Sequence, residues 1–267
     1  MTSVPQPPPP GVLDAFALGG PAERLAGGQG TSWRVGEFVL KPGVDPQYQE
    51  WLGTAVAGIA QRGFRLPTVR RTQHREWVVQ GWGAQSFFPG STVHEGVTDW
   101  GSIIGASRAL HAETSALARP GFLDRRTDPW ASADREAWAE APRRVAPELR
   151  GVVQRLKAVP PPTGHAQLVH GDLTSNVLLL PGSSPSVIDF SPYWRPPSYA
   201  DGIVVADALC WHAAPLKIVD ELGVPLEAVA PALLFRALAS SRLQRWGSAA
   251  LENEAQRYES VMTALGL

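Results

Sequence analysis

Residues 170–190 constrain this chain more than any other stretch. His170-Gly171-Asp172-Leu173-Thr174-Ser175-Asn176 runs into the apolar residues Val177-Leu178-Leu179-Leu180, then Pro181-Gly182-Ser183-Ser184-Pro185, then Val187-Ile188-Asp189-Phe190. Two short apolar runs around a proline and glycine turn predict a β-hairpin. The hairpin brings Asn176, before its first strand, to a position neighbouring Asp189, after its second. An acid, an amide and a second acid are thus gathered within eighteen residues.

Those residue types suit phosphoryl transfer. Moving the γ-phosphoryl group of a nucleoside triphosphate to a hydroxyl asks the protein mainly for positioning and charge neutralisation. Asp172 would accept or orient the proton of the acceptor hydroxyl, and Asn176 and Asp189 would offer hard oxygen ligands to Mg2+ on the phosphates. A His-Gly-Asp triplet alone serves turn geometry in many loops. The joint order of acid, amide, strand, turn and acid carries the reading.

A phosphate-binding cation should precede such a segment. The chain has only Lys41, Lys157 and Lys217 among 24 basic residues, so lysine is a rare choice here. Lys41 ends the strand-like run Phe38-Val39-Leu40 and follows the turn Gly27-Gly28-Gln29-Gly30-Thr31-Ser32. Two strands joined by that turn, with Lys41 on the second, would form a lid whose backbone N–H groups approach phosphates closely. A plain hairpin turn explains the glycines equally well. The segment lacks both the lysine-ending P-loop pattern and the third glycine of a dinucleotide fingerprint.

On these residues the chain resembles the aminoglycoside phosphotransferase and choline kinase branch of the protein-kinase-like superfamily, over most of its length. More narrowly, Gly28-Gln29-Gly30-Thr31-Ser32-Trp33 with Gly171-Asp172-Leu173-Thr174-Ser175-Asn176 resembles an actinobacterial group within it. The resemblance implies an α+β, two-lobed kinase-like fold: a small N-terminal lobe with an antiparallel sheet and one main helix, and a larger, mostly helical C-terminal lobe. It implies ATP and Mg2+ as cofactors and a cleft between the lobes. It casts Lys41 as the nucleotide lysine, with Gly28, Gln29, Gly30, Thr31 and Ser32 over the nucleotide and Glu50 as the helix partner of Lys41. Asp172 takes the catalytic position and Asp189, with Asn176, the metal position. His111 and Asp207 brace the catalytic loop. Two departures stand out: three residues rather than four separate Asp172 from Asn176, and Ser191 replaces a glycine after Phe190.

Composition bounds the remainder. At 267 residues the chain can bury a sizeable core. A net charge of −1 argues against a general nucleic-acid binder. The lone Cys210 excludes intramolecular disulfides, and no apolar stretch reaches the eighteen residues of a membrane span. The N-terminus lacks the pattern of a signal peptide. The expectation is a cytoplasmic, soluble small-molecule kinase with no nucleic-acid or membrane partner. No sequence signal bears on its oligomeric state. From Phe190 onward eight acids meet six bases, so a polycationic acceptor is not favoured over an uncharged or modestly charged alcohol. A protein kinase is disfavoured because no Ala-Pro-Glu signature follows Asp189. A weakly catalytic nucleotide-binding regulator is the alternative.

The expected organisation is a disordered proline-rich tail over residues 1–10, a nucleotide lobe over 11–85 and a catalytic and acceptor lobe over 86–267. Helices are expected near 12–18, 47–61, 99–117, 135–141, 147–156, 202–214, 226–243 and 251–265. A hairpin is expected over 66–80. Gly81-Trp82-Gly83-Ala84 reads as a hinge, where Trp82 either stacks on a base or packs. Residues 191–201, rich in proline and rings, read either as an acceptor pocket or as a structured connection.

Overall fold

The computed structural model describes residues 5–26, 30–96, 99–139, 144–243 and 247–267. Within the expected tail, Pro8 is buried, and Pro10 already opens helix α1 (Pro10–Ala15). Proline suits a first helical turn because its φ is preset and its missing N–H has no partner to lose there. Six strands follow: β1 (Glu23–Arg24), β2 (Trp33–Val35), β3 (Phe38–Pro42), then, after helix α2 (Pro46–Trp51), β4 (Val69–Arg70), β5 (Val78–Val79) and β6 (Trp82–Ser86). They form one antiparallel sheet in the order β1-β2-β3-β6-β4, with β5 also on β6.

Turn residues explain where sequence expectation failed here. Val35 pairs with Phe38, and Gly36 has a φ of +57°, so a two-residue turn makes an extra hairpin. Lys41 therefore lies on the third strand, not the second. β4 and β5 do not pair as a hairpin; each pairs with β6 instead. The expected hinge is the start of β6, where Trp82 packs with Val12, Phe16, Val35, Leu40 and Ala84. Helix α2 is short. Asp45 caps it through the Tyr48 N–H, Pro46 fills its first turn, and it passes into a π-helical segment, Leu52–Val56. Gly53 lies in that segment against the Trp77 ring, where any Cβ would sit 2.4 Å from ring carbons.

The remaining elements are α3 (Trp100–Thr114), α4 (Pro129–Ala137), α5 (Arg150–Lys157), β7 (Gln167–His170), β8 (Val177–Leu178), β9 (Ser186–Val187), β10 (Pro192–Arg195), α6 (Pro197–Trp211), α7 (Ile218–Leu222), α8 (Leu226–Arg242) and α9 (Ser248–Leu265). The predicted hairpin is present as β8 on β9. Residues 191–201 are a structured connection: β10 pairs with β7, and Tyr193 and Tyr199 are buried. The loop expected before residue 135 is partly α4, whose buried Asp134 pairs with Arg195 at 2.6 Å.

Two compact units result. One comprises Met1–Ser91 with Leu178–Ile188, the other Thr92–Val177 with Asp189–Leu267. The β8–β9 hairpin joins the first unit through backbone bonds: Arg65 N–H to Pro185 O and Val187 N–H to Arg65 O, both 2.8 Å, and a reciprocal pair between Ser91 and Leu179. In the second unit α6 and α8 make the largest helix contact, and Ile203, Val204, Val205, Leu233, Leu234 and Phe235 are almost wholly buried. Burying each such side chain contributes about 1.5–3 kcal/mol. Gly202 marks the closest approach, because a Cβ there would lie 2.2 Å from the Ala228 carbonyl oxygen.

Candidate active site

The His-Gly-Asp loop leaves β7 at His170. Gly171 follows because the Tyr193 ring occupies the space of a side chain, 2.4 Å from an added Cβ, and its N–H donates to Ser191 O at 2.9 Å. The Asp172 N–H donates to His170 Nδ1 at 3.1 Å, and the His170 N–H donates to His111 Nε2 at 3.0 Å. Ser107 spends its own proton on Asp201 at 2.6 Å, so its oxygen accepts from His111 Nδ1 at 3.3 Å. That fixes the His111 tautomer. Burial, with His170 second, pushes His111 down to about 3, which keeps it a neutral acceptor. The expected brace is thus a hydrogen-bonded imidazole on α3, anchored through Asp201 to Arg108 at 2.8 Å.

Asp172 is held at both carboxylate oxygens. Oδ1 accepts from Arg236 Nη2 at 2.9 Å, and Oδ2 accepts a longer bond, 3.2 Å, from Asn176 Nδ2. The same Asn176 amine donates to Asp172 O at 2.6 Å. The loop, one residue short, therefore closes on itself and leaves the Asn176 carboxamide oxygen as its acceptor. Asp207, on α6, accepts from Arg236 at 2.8 and 2.6 Å and from Thr174 Oγ1 at 2.7 Å. Its bracing role is visible in those bonds.

Asn176 immediately precedes β8, and Asp189 follows β9 by one residue, so both flank the same end of the hairpin. Asp189 adopts a left-handed φ of +50°, which aspartate tolerates better than most residues. Phe190 packs its ring on His170 with centroids 5.0 Å apart. An amide oxygen and a carboxylate are hard donors that fit Mg2+, an ion that keeps waters and takes only one or two protein ligands beside phosphates. Among the described residues no group of three or more His, Cys, Asp or Glu side chains is placed to hold a metal ion.

In the first unit Lys41 pairs across the sheet with Gly83. Burial pushes its ammonium from 10.5 down to about 8. Glu50, the expected partner, lies exposed on α2. Gln49 faces the sheet instead: it is buried, donates to Ala84 O at 3.5 Å, and its amide would lie 2.8 Å from a Cβ on Gly83. A phase shift of one residue, set where Pro46 starts the helix, makes this difference. Of the glycine turn, Gly28 and Gln29 lie outside the described residues. Gly30 has φ +65° and accepts from Arg24 Nε at 2.8 Å, Ser32 O accepts from the Leu25 N–H at 3.0 Å, and Thr31 lies between them. These three lie in the β1–β2 connection.

Sequence reasoning had no role for Arg236, Ser107, Asp201, Tyr193 or Gln49. Arg236 had one signal: it is the lone charge in an otherwise apolar stretch, Ala228–Ala239.

A mixed fold with an antiparallel sheet, a helical second part and an His-Gly-Asp loop opposite an Ile-Asp-Phe loop defines a kinase-like phosphotransferase class. The chain belongs to the phosphotransferase enzyme family, whose sequence profile matches residues 45–213. A probable ketoamine kinase from Thermus thermophilus is 29% identical over 187 residues, 64% of this chain; the match spans 66% of that relative's length. Among solved structures, choline kinase LicA from Streptococcus pneumoniae superposes with a TM-score of 0.57 at 11% identity, covering 94% of this chain and 96% of that one. A thermostable mutant of aminoglycoside phosphotransferase APH(4)-Ia, in a ternary complex with ADP and hygromycin B, gives 0.56 at 14% identity, again covering 94% and 96%. Among the described residues no helix is long and apolar enough to cross a membrane.

Proposed function

We propose that this protein transfers the γ-phosphoryl group of ATP to a hydroxyl of a small molecule. The observation that carries the reading is Asp172: half-exposed, yet held at both oxygens and at its backbone. In the reaction the acceptor oxygen forms a bond to the γ-phosphorus as the bond to the ADP oxygen breaks. Asp172 takes the hydroxyl proton and later releases it to solvent, while ADP leaves with the electron pair. Asn176 and Asp189 would hold Mg2+, which supplies charge neutralisation on the phosphates when bound. Lys41 would meet those phosphates as a point charge, beside the backbone of Gly28, Gln29, Gly30, Thr31 and Ser32.

The near balance of charge after Phe190 favours an uncharged or modestly charged alcohol, such as a sugar, nucleoside or amino alcohol. The relative named as a probable ketoamine kinase is consistent with a small-molecule acceptor. A second reading, a nucleotide-binding regulator of weak turnover, is favoured by one observation: the short loop draws the Asn176 amide onto Asp172.

Calorimetric titration of Mg-ATP tests the nucleotide site. Asp189→Ala should weaken binding about 10- to 100-fold and abolish its dependence on Mg2+. Unchanged Mg-ATP affinity in that variant would remove Asp189 from the metal site.

Lys41 makes a pH prediction. With its ammonium depressed to about 8, the free protein loses this charge as pH rises through 8. Wild-type ATP affinity should therefore decline above pH 8, approaching about tenfold per pH unit until the bound-state pKa is reached. Lys41→Arg, which stays cationic, should bind with little change from pH 7 to 9.5. Parallel profiles for the two proteins would take Lys41 out of phosphate binding.

A further inference from the structure

The middle of helix α8 is apolar but for one residue. From Ala228 to Ala239 its residues are buried, and the single charge among them, Arg236, retains only 11% side-chain exposure. Burying a guanidinium between carboxylates is an expensive way to fill a core, since well-packed apolar side chains of similar volume usually serve stability as well or better. The contacts indicate another use. Nε donates to Asp207 Oδ1 at 2.8 Å, and Nη2 donates both to Asp207 Oδ2 at 2.6 Å and to Asp172 Oδ1 at 2.9 Å. Asp207 thereby fixes the plane of the guanidinium, and its edge is presented to Asp172. The rings of Trp130 and Phe235 flank the same group, 5.7 and 5.3 Å from its central carbon. Thr174, two residues beyond Asp172, bonds to Asp207 and closes the network on the loop.

We propose that Arg236 is a positioning residue for Asp172: it occupies Oδ1 and so assigns Oδ2 as the oxygen that receives the acceptor's proton. The inference rests on the phosphotransferase reading given above. Oδ2 has only the longer bond from Asn176, and a carboxylate oxygen has lone-pair capacity beyond one such bond. The loop motif comes from one part of the chain and the residue that aims it from another, sixty-four residues later.

The test uses the full chain and ATP, with water as the acceptor, scored by ADP release together with Mg-ATP affinity and thermal unfolding. Because Arg236→Met alone leaves Asp207 buried and unpaired, the informative protein is Arg236→Met with Asp207→Asn, in which the helix contact stays neutral. It should remain folded and bind Mg-ATP like the wild type, with turnover lowered about 100-fold, as expected when a reacting group is misplaced by about 1 Å. Arg236→Lys, which keeps the charge without the fork, should recover only a minor part of that rate. In an Asp172→Asn background the Arg236→Met and Asp207→Asn pair should lower turnover no further, because groups acting as one unit are not additive. Wild-type turnover in the folded double variant overturns the proposal. So do additive losses in the Asp172→Asn background, or a loss of turnover matched by loss of Mg-ATP affinity. A wild type that binds no Mg-ATP, or binds it without releasing ADP, overturns the phosphotransferase reading and this inference with it.

Discussion

Asp172→Asn is expected to lower turnover about 10²- to 10⁴-fold while leaving Mg-ATP affinity within about twofold. Asparagine matches aspartate in shape, and its carbonyl oxygen still accepts from Arg236, so the loop keeps its place. What it loses is the ability to take the acceptor's proton. Asp207 continues to neutralise Arg236 through two bonds, so no buried guanidinium is left unpaired and stability should hold. Steady-state ADP release and calorimetry on the same preparation separate the two quantities. Equal turnover in variant and wild type would remove Asp172 from the chemical step and favour the regulator reading.

Gly202→Ala is expected to destabilise the protein by about 1–3 kcal/mol or more. In α6 the new methyl would meet the Ala228 carbonyl oxygen at 2.2 Å, a backbone atom that cannot swing away. The α6 and α8 axes must part, and Asp207 and Arg236 lie on those helices, so turnover should fall along with the melting temperature. At this size the loss corresponds to a Tm decrease of roughly 2–12 °C. Gly105→Ala supplies the contrast. Gly105 sits exposed in α3 with nothing within 4 Å of an added Cβ, so alanine there should stabilise by about 0.5–1 kcal/mol. Differential scanning calorimetry that found the two substitutions equivalent would dismiss the close helix contact as a determinant.

Part of this site was legible in the sequence for a local reason. Asp172, Asn176 and Asp189 lie on one hairpin and its flanks, and hairpins announce themselves through apolar runs and turn residues. The kinase-like fold followed from the joint pattern and the resemblance it supported. Gln49 was passed over because a helix phase cannot be read to one residue: Pro46 starts α2 so that Gln49 is buried and Glu50 exposed. β4 and β5 resembled a hairpin because they are adjacent in sequence, yet both found β6 as a partner. Trp82 was readable only as an aromatic among glycines until the core formed around it.

By itself, the sequence determined which short elements exist and which polar residues stand at their ends, because turns, caps and apolar alternation are encoded within a few residues. It thereby named the acid, the amide and the second acid. Only tertiary structure decided what aims them. Arg236 reaches Asp172 because α6 and α8 pack backbone to backbone at Gly202, and His111 reaches the loop because α3 lies along β7. Contacts between residues 59 and 64 positions apart depend on how helices pack, and no local pattern in the chain records that.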